Sequence, residues 1–292
     1  MLNSSAYTDT NYVFITEVFM LIKKERFHFA QEEEGQLMVD VTDRVNNRPI
    51  DGASVSISYA GDPQDTLEQL TTDSNGMTEE IDLAAPPRSY SEYPLSDVQP
   101  YSEYNLIITA PGYEPTTISG SEIFSGELSV QPVRLNPVLP NASASVINIP
   151  ANTLWGVFPP KIPEDEIKPV RSSGEIVLSR VVIPEYIVVH DGVPSDSSAT
   201  DYYVRYADYI KNVASSEIYS TWPEATLRAN ITAIMSFTLN RVYTEWYRNK
   251  GYDFTITTST AYDHKWIYGR NIFDSISRIV DEIFANYISR PN

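Results

Sequence analysis

The stretch YADYIKNVASSEIYSTWPEATLRANITAIMSFTLNRVYTEWYRN occupies residues 206–249. Tyr206, Tyr209, Ile210 and Val213 recur at helical spacing and predict a helix with one apolar side. That run ends at a carboxylate, Glu217. Ser220-Thr221-Trp222-Pro223 then breaks the chain, and Pro223 suits the first turn of a second helix, where a missing N–H costs nothing. Leu227, Ile231, Ile234, Thr238, Val242 and Trp246 keep the spacing up to Gly251, a natural stop. Further on, Ile272, Phe273, Ile276, Ile279, Val280, Ile283, Phe284 and Tyr287 form one broad stripe, which predicts a helix over 270–289. Upstream, 176–190 is β-rich and interrupted by Pro184.

Residues 35–136 have a different grammar. Gln36 to Val41 and Ala53 to Tyr59 alternate apolar and polar. Further candidate strands lie at 67–72, 78–83, 104–109, 116–120 and 128–135. Asn75-Gly76 is a hairpin signal because both residues accept positive φ, and Asn46 to Pro49 and Pro111-Gly112 are further turns. Short strands with regular punctuation predict a β-sandwich. The phrases Pro49 to Val55, Thr71 to Gly76 and Ala110 to Glu114 resemble the transthyretin-like modules of the carboxypeptidase-regulatory type, which implies a structural or binding appendage. Between the halves, seven prolines from Pro137 to Pro169 predict a linker over 137–175. Its apolar patch Leu154-Trp155-Gly156-Val157-Phe158 reads as docked on a neighbouring domain, with a clasp across a groove as the sharper alternative. The expected class is therefore α+β: an N-terminal extension (1–34), an immunoglobulin- or transthyretin-like sandwich (35–136), a Pro-rich linker and a mostly helical domain with some strands (176–292).

With 292 residues, 42% of them hydrophobic, the chain is long enough for two cored domains. Its net charge of −18 argues against nucleic acid and anionic membranes as partners, since both are polyanions. There is no cysteine, so disulfides, zinc–thiolate sites and cysteine nucleophiles are excluded. His28, His190 and His264 stand isolated, with no metal-ligand spacing; we expect no metal and no cofactor. The run 11–22 is broken by Glu17, and its basic residues follow it instead of preceding it. It therefore reads as neither a signal peptide nor a membrane span.

Glu217 is the leading chemical candidate. Cleaving a glycosidic bond requires an acid that protonates the leaving oxygen, and such acids sit among apolar neighbours. Ile218, Tyr219 and Trp222 flank it. On composition alone, an ordinary surface glutamate near a helix end is the commoner reading. Ser215 and Ser216 lack the glycine-flanked elbow of a serine nucleophile. Tyr202, Tyr203, Tyr219, Trp222, Tyr243, Trp246 and Tyr262 are candidates for a sugar-stacking groove. At helical spacing, Tyr243 and Trp246 read more readily as core.

The run from Tyr209 to Asn230, a tyrosine-bearing helix, Glu217 and a Trp-Pro-x-Glu-Ala turn, resembles the core motif of the stage II sporulation protein D family. The match extends to the clostridial spore cortex-lytic enzymes through Val182 to His190, Asn240 to Arg248, Ser259 to Asp263, Gly269 to Asp274 and the linker phrase Asn152 to Gly156. It covers nearly all of the chain after about residue 35. The resemblance implies a peptidoglycan lytic transglycosylase that works with one carboxylate. Glu217 would protonate the oxygen leaving muramic acid C1, then act as base while the C6 hydroxyl closes onto C1, giving a 1,6-anhydro end. Two-carboxylate glycosidases differ in this respect. Position next to Glu217 makes Tyr219 and Trp222 the expected substrate-binding residues, and the shared phrase Ser259 to Asp263 adds Tyr262 and Asp263. The resemblance also implies glycan strands and an activating germination protease as partners, and a spore location. It further implies a proenzyme cut between Pro137 and Arg180, with the sandwich and linker as pro-region. Family members carry further strands and a glycine-rich segment beyond the last helix, so truncation is expected at Asn292. A non-catalytic peptidoglycan- or spore-binding protein therefore stays open as the alternative. The cysteine- and histidine-based zinc site of some members cannot form in a chain without cysteine.

Overall fold

A computed structural model describes residues 33–93, 98–139, 144–152, 154, 159–160 and 177–289. The apolar run near the N-terminus, His28 and the linker patch from Trp155 to Phe158 lie outside them. In chain order the elements are β1 (Glu33–Asp43), β2 (Ser54–Tyr59), β3 (Asp62–Thr71), β4 (Ile81–Ala85), the short helix α1 (Ser89–Glu92), β5 (Tyr101–Thr109), β6 (Thr116–Phe124), β7 (Leu128–Leu135), β8 (Ser145–Asn148), β9 (Tyr186–His190), β10 (Asp201–Arg205), α2 (Tyr206–Glu217), α3 (Glu224–Tyr243), β11 (Ile256–Thr257), β12 (Ile272–Phe273) and α4 (Asp274–Ile283). The chain is thus mixed α+β, richer in strand than in helix.

Two sheets make the N-terminal sandwich. One runs β12-β7-β1-β4 and the other β3-β2-β5-β6-β8. Alternation along β1 buries Leu37, Val39 and Val41, which pack with Val55, Ile57, Leu106, Ile108 and Ile118 between the sheets. Asn75-Gly76 is a turn, but not a hairpin: β3 pairs with β2 while β4 pairs with β1, so the turn carries the chain from one sheet to the other. Asp73 Oδ1 accepts the N–H groups of Asn75 and Met77 there. Gly76 is required, since its φ is +78° and a Cβ would lie 2.5 Å from the Val41 carbonyl oxygen.

Two expected boundaries shift because tertiary pairing outcompetes local pattern. Ser145–Asn148, inside the expected linker, pairs in parallel with β6 at Thr116–Ser119. The expected helix over 270–289 is helical only from Asp274 to Ile283. Ahead of it, Ile272 and Phe273 pair with Val130 and Ser129 of β7, so the C-terminal half donates a strand to the sandwich.

The C-terminal half holds a small sheet, β10-β9-β11, and helices α2, α3 and α4. Among the described residues of the β-rich run 176–190, only Tyr186–His190 is strand. Pro223 caps α3 from outside, in extended geometry, instead of entering its first turn. The helix stops at Tyr243, short of Gly251. Thr244 turns its hydroxyl back to the Asn240 carbonyl, Asn249 Nδ2 caps the Thr244 carbonyl, and Glu245 adopts a φ of 46°. Gly251, at φ +84°, ends the following 3-10 turn.

One core crosses the two halves. Tyr101 and Phe124 of the sandwich are buried with Tyr219, Ile231, Phe273 and Ile276. Beside them, Arg270 and Glu122 are both buried and pair at 2.5 Å. Arg270 also donates to the Ser215 carbonyl (2.6 Å), and Asn271 bonds the Glu122 carbonyl and Ser129. Among the described residues, no helix is long and apolar enough to cross a membrane.

Candidate active site

A cleft of about 660 Å³ opens at the C-terminal end of α2. The last turn of that helix supplies Ser216 and Glu217. One face of α3 supplies Asn230, Ala233, Ile234 and Phe237. The loop after β11 brings Thr260, Asp263, His264 and Lys265, and Asn152, Leu154 and Pro159 complete the wall. The Ile218 N–H still bonds Ala214 O as the backbone becomes extended, so Glu217 sits where the helix gives way to the turn.

Among the described residues two carboxylates line this cleft, and their surroundings differ. Asp263 is buried, and its oxygens accept from Arg241 Nε (2.7 Å), the Tyr247 hydroxyl (2.6 Å), the Thr257 N–H (2.9 Å) and the Thr257 hydroxyl (2.7 Å). It organises the loop and is spent on that task. Glu217 is half-buried, and its Oε1 accepts the Lys265 N–H at 2.7 Å. Of the two, Glu217 is the less buried.

His264 stands behind it. Its ring lies 4.7 Å from Phe237, and its Nδ1 is 3.3 Å from the Tyr209 hydroxyl. Burial, with the nearby charges of Asp263 and Glu217, raises the Tyr209 pKa well above its usual value, so that hydroxyl keeps its proton. Lys265 extends Nζ to the Ala151 carbonyl at 3.3 Å. Its pKa is pushed down by burial first and by the Arg270 charge second, against the opposing pull of Glu122 and Glu217.

Of the expected binding residues, only Asp263 lines the cleft. Tyr219 and Trp222 pack against the sandwich: Tyr219 lies 5.4 Å from Phe124 and 5.8 Å from Trp222. Trp222 Nε1 donates to the Ser91 carbonyl at 2.9 Å, and the Tyr219 hydroxyl takes the Leu154 N–H. Tyr262 contributes its carbonyl to Arg241. Trp246 is buried, with the Arg241 and Lys250 cations 4.5 and 4.1 Å from its ring centre, Tyr202 stacks on Tyr268, and Tyr203 is exposed. His190 is buried against Phe254 with Nδ1 on Asp201. His264, Lys265, Asn152 and Phe237 are the cleft residues that sequence reasoning missed. The one available signal was adjacency, since His264 and Lys265 directly follow the phrase Ser259 to Asp263. Among the described residues, no group of three or more His, Asp or Glu could hold a metal ion.

No family model matches the chain, and no curated protein sequence matches it either. Solved structures align with about a third of it. The Bacillus anthracis TIE protein is 17% identical over 36% of this chain and 17% of its own, at a TM-score of 0.25. Klebsiella pneumoniae 5-hydroxyisourate hydrolase is 21% identical over 36% of this chain and 92% of its own, at 0.24. The minor pilin GBS52 of Streptococcus agalactiae is 17% identical over 39% of this chain and 49% of its own, at 0.26. Scores this low carry no argument about function.

Proposed function

We propose that the chain is a peptidoglycan lytic transglycosylase of the spore cortex-lytic type, with Glu217 as its single acid–base group. What supports this reading is the place of Glu217: it lines the cleft where α2 ends, with Oε1 on the Lys265 N–H, while Asp263 bonds Arg241, Tyr247 and Thr257 and holds the loop together. One-carboxylate chemistry needs an internal nucleophile. Glu217 gives its proton to the glycosidic oxygen as the bond to muramic acid C1 breaks. The C6 hydroxyl then attacks C1 and returns its proton to Glu217, so no water is consumed. The cleft lies within the roughly 300–1,000 Å³ usual for ligand sites, and its mix of apolar wall and amide groups suits an N-acetylated sugar.

The proenzyme reading joins this one. The cleft wall at Asn152, Leu154 and Pro159 belongs to the segment between Pro137 and Arg180, so a germination protease cutting there would alter the wall itself. The spore, where cortex is the substrate, is the setting that follows.

The test is digestion of purified spore cortex, before and after protease trimming, with mass spectrometry of the fragments. Anhydro-muramic ends that vanish with Glu217→Gln support the reading. Glycan binding without such ends, in both forms, would favour the alternative of a non-catalytic wall-binding protein.

A further inference from the structure

Lys265 is the only lysine or arginine among the described residues that line the cleft. It is half-buried, and its ammonium is in no ion pair among the described residues; its one hydrogen bond is to the Ala151 carbonyl. Holding a cation away from water without a carboxylate partner is costly. Its lowered pKa agrees, since burial and Arg270 both work against the charge. On a chain with net charge −18, a cation kept at a cleft wall with no ion-pair partner among the described residues calls for an explanation. The backbone N–H of the same residue holds Glu217 Oε1, and both residues line the same cleft, Glu217 from the end of α2 and Lys265 from the loop after β11.

We propose that Lys265 is a specificity-determining residue whose ammonium binds a carboxylate carried by the glycan next to the bond being cleaved. This rests on the reading of the cleft as a glycan site. The chemistry has two sources in peptidoglycan: the lactyl carboxylate of an unsubstituted muramic acid, and the carboxylates of a peptide stem. A neutral glucosamine or a lactam-closed muramic acid offers neither.

The experiment is equilibrium binding to the full chain carrying Glu217→Gln, which stops turnover and keeps an oxygen for the Lys265 N–H. Four tetrasaccharides serve as probes: alternating glucosamine and muramic acid with free lactyl carboxylates, the same glycan with those groups reduced to alcohols, a form with stem peptides attached, and neutral chitotetraose. Each is measured with and without Lys265→Met, which retains the apolar stem. One charge-assisted contact predicts that a carboxylate-bearing glycan binds about tenfold more tightly than the reduced one. Lys265→Met should erase that gap, and a circular-dichroism spectrum matching that of the parent shows that the variant is folded. A gap seen only with the peptide form assigns the stem as the source. Equal binding of all four, or a gap that survives Lys265→Met, overturns the proposal. If no glycan binds at all, the glycan site and this inference fail together. If binding follows the carboxylate but cortex yields no anhydro ends, only the transglycosylase reading fails.

Discussion

At the scale of single residues, Glu217 and Asp263 line one cleft but are held differently, and substitution should tell them apart. Glu217→Gln should lower formation of anhydro ends by about 10²–10⁴-fold, the usual worth of a general acid, with little change in melting temperature. Asp263→Ala should instead destabilise the fold by about 3–5 kcal/mol, because it strands the buried Arg241 guanidinium. Chemical denaturation distinguishes the two outcomes, and an Asp263→Ala protein that is inactive but fully stable would reverse the assignment. Lys265 carries a pH signature. Its folded pKa lies below the unfolded value of 10.5, so the unfolded chain binds the extra proton in the window between them. Wild-type stability should therefore gain on that of Lys265→Met as pH rises through that window. A difference that stays flat up to pH 10.5 would mean the lysine is well solvated. The place of Glu217 at the end of a helix was legible, because apolar spacing announces that helix and Pro223 the break after it. His264 and Lys265 were not, because isolated residues acquire meaning only when α3 and the linker segment are brought over them.

At the scale of elements, periodicity was legible wherever one neighbour explains it. The buried series Leu37, Val39, Val41 announces a strand with one face in a core, and Tyr209, Ile210 and Val213 announce a helix. It misled where two neighbours compete. Ile272 and Phe273 belong to the apolar stripe of α4 by spacing, yet they pair with β7, since a sheet edge offers the hydrogen bonds that a frayed first turn lacks. Asn75-Gly76 reads as a hairpin because the dipeptide reports the turn and not the sheet that each flanking strand joins. The turn between α2 and α3 gives a test. Trp222 is held by α1 through Ser91, so Trp222→Ala should cost stability, at the low end of roughly 3–5 kcal/mol, and leave glycan affinity of the folded protein unchanged. A selective loss of affinity at full stability, measured by titration calorimetry, would return Trp222 to the binding groove.

At the scale of the whole molecule, the sandwich and the C-terminal half share one core, so a cut in the segment between them does not by itself free the sandwich. The Tyr101, Phe124, Tyr219 and Phe273 core, the Glu122–Arg270 pair and the β12–β7 pairing all cross between the halves. Protein nicked between Pro137 and Arg180 should therefore elute from gel filtration as one species and separate only in denaturant. Clean separation in native buffer would mean that the shared core contributes little. This interdependence was hidden in the sequence, where composition draws a sharp border at the Pro-rich stretch and Glu122 and Arg270 stand 148 residues apart. The central claim concerns one carboxylate and an internal nucleophile, and it is tested most directly by digesting spore cortex in water enriched with oxygen-18 and weighing the new muramic ends. The account predicts ends one water lighter than a reducing sugar, free of label, and absent with Glu217→Gln. Reducing ends carrying oxygen-18, or unlabelled anhydro ends that persist with Glu217→Gln, would contradict it.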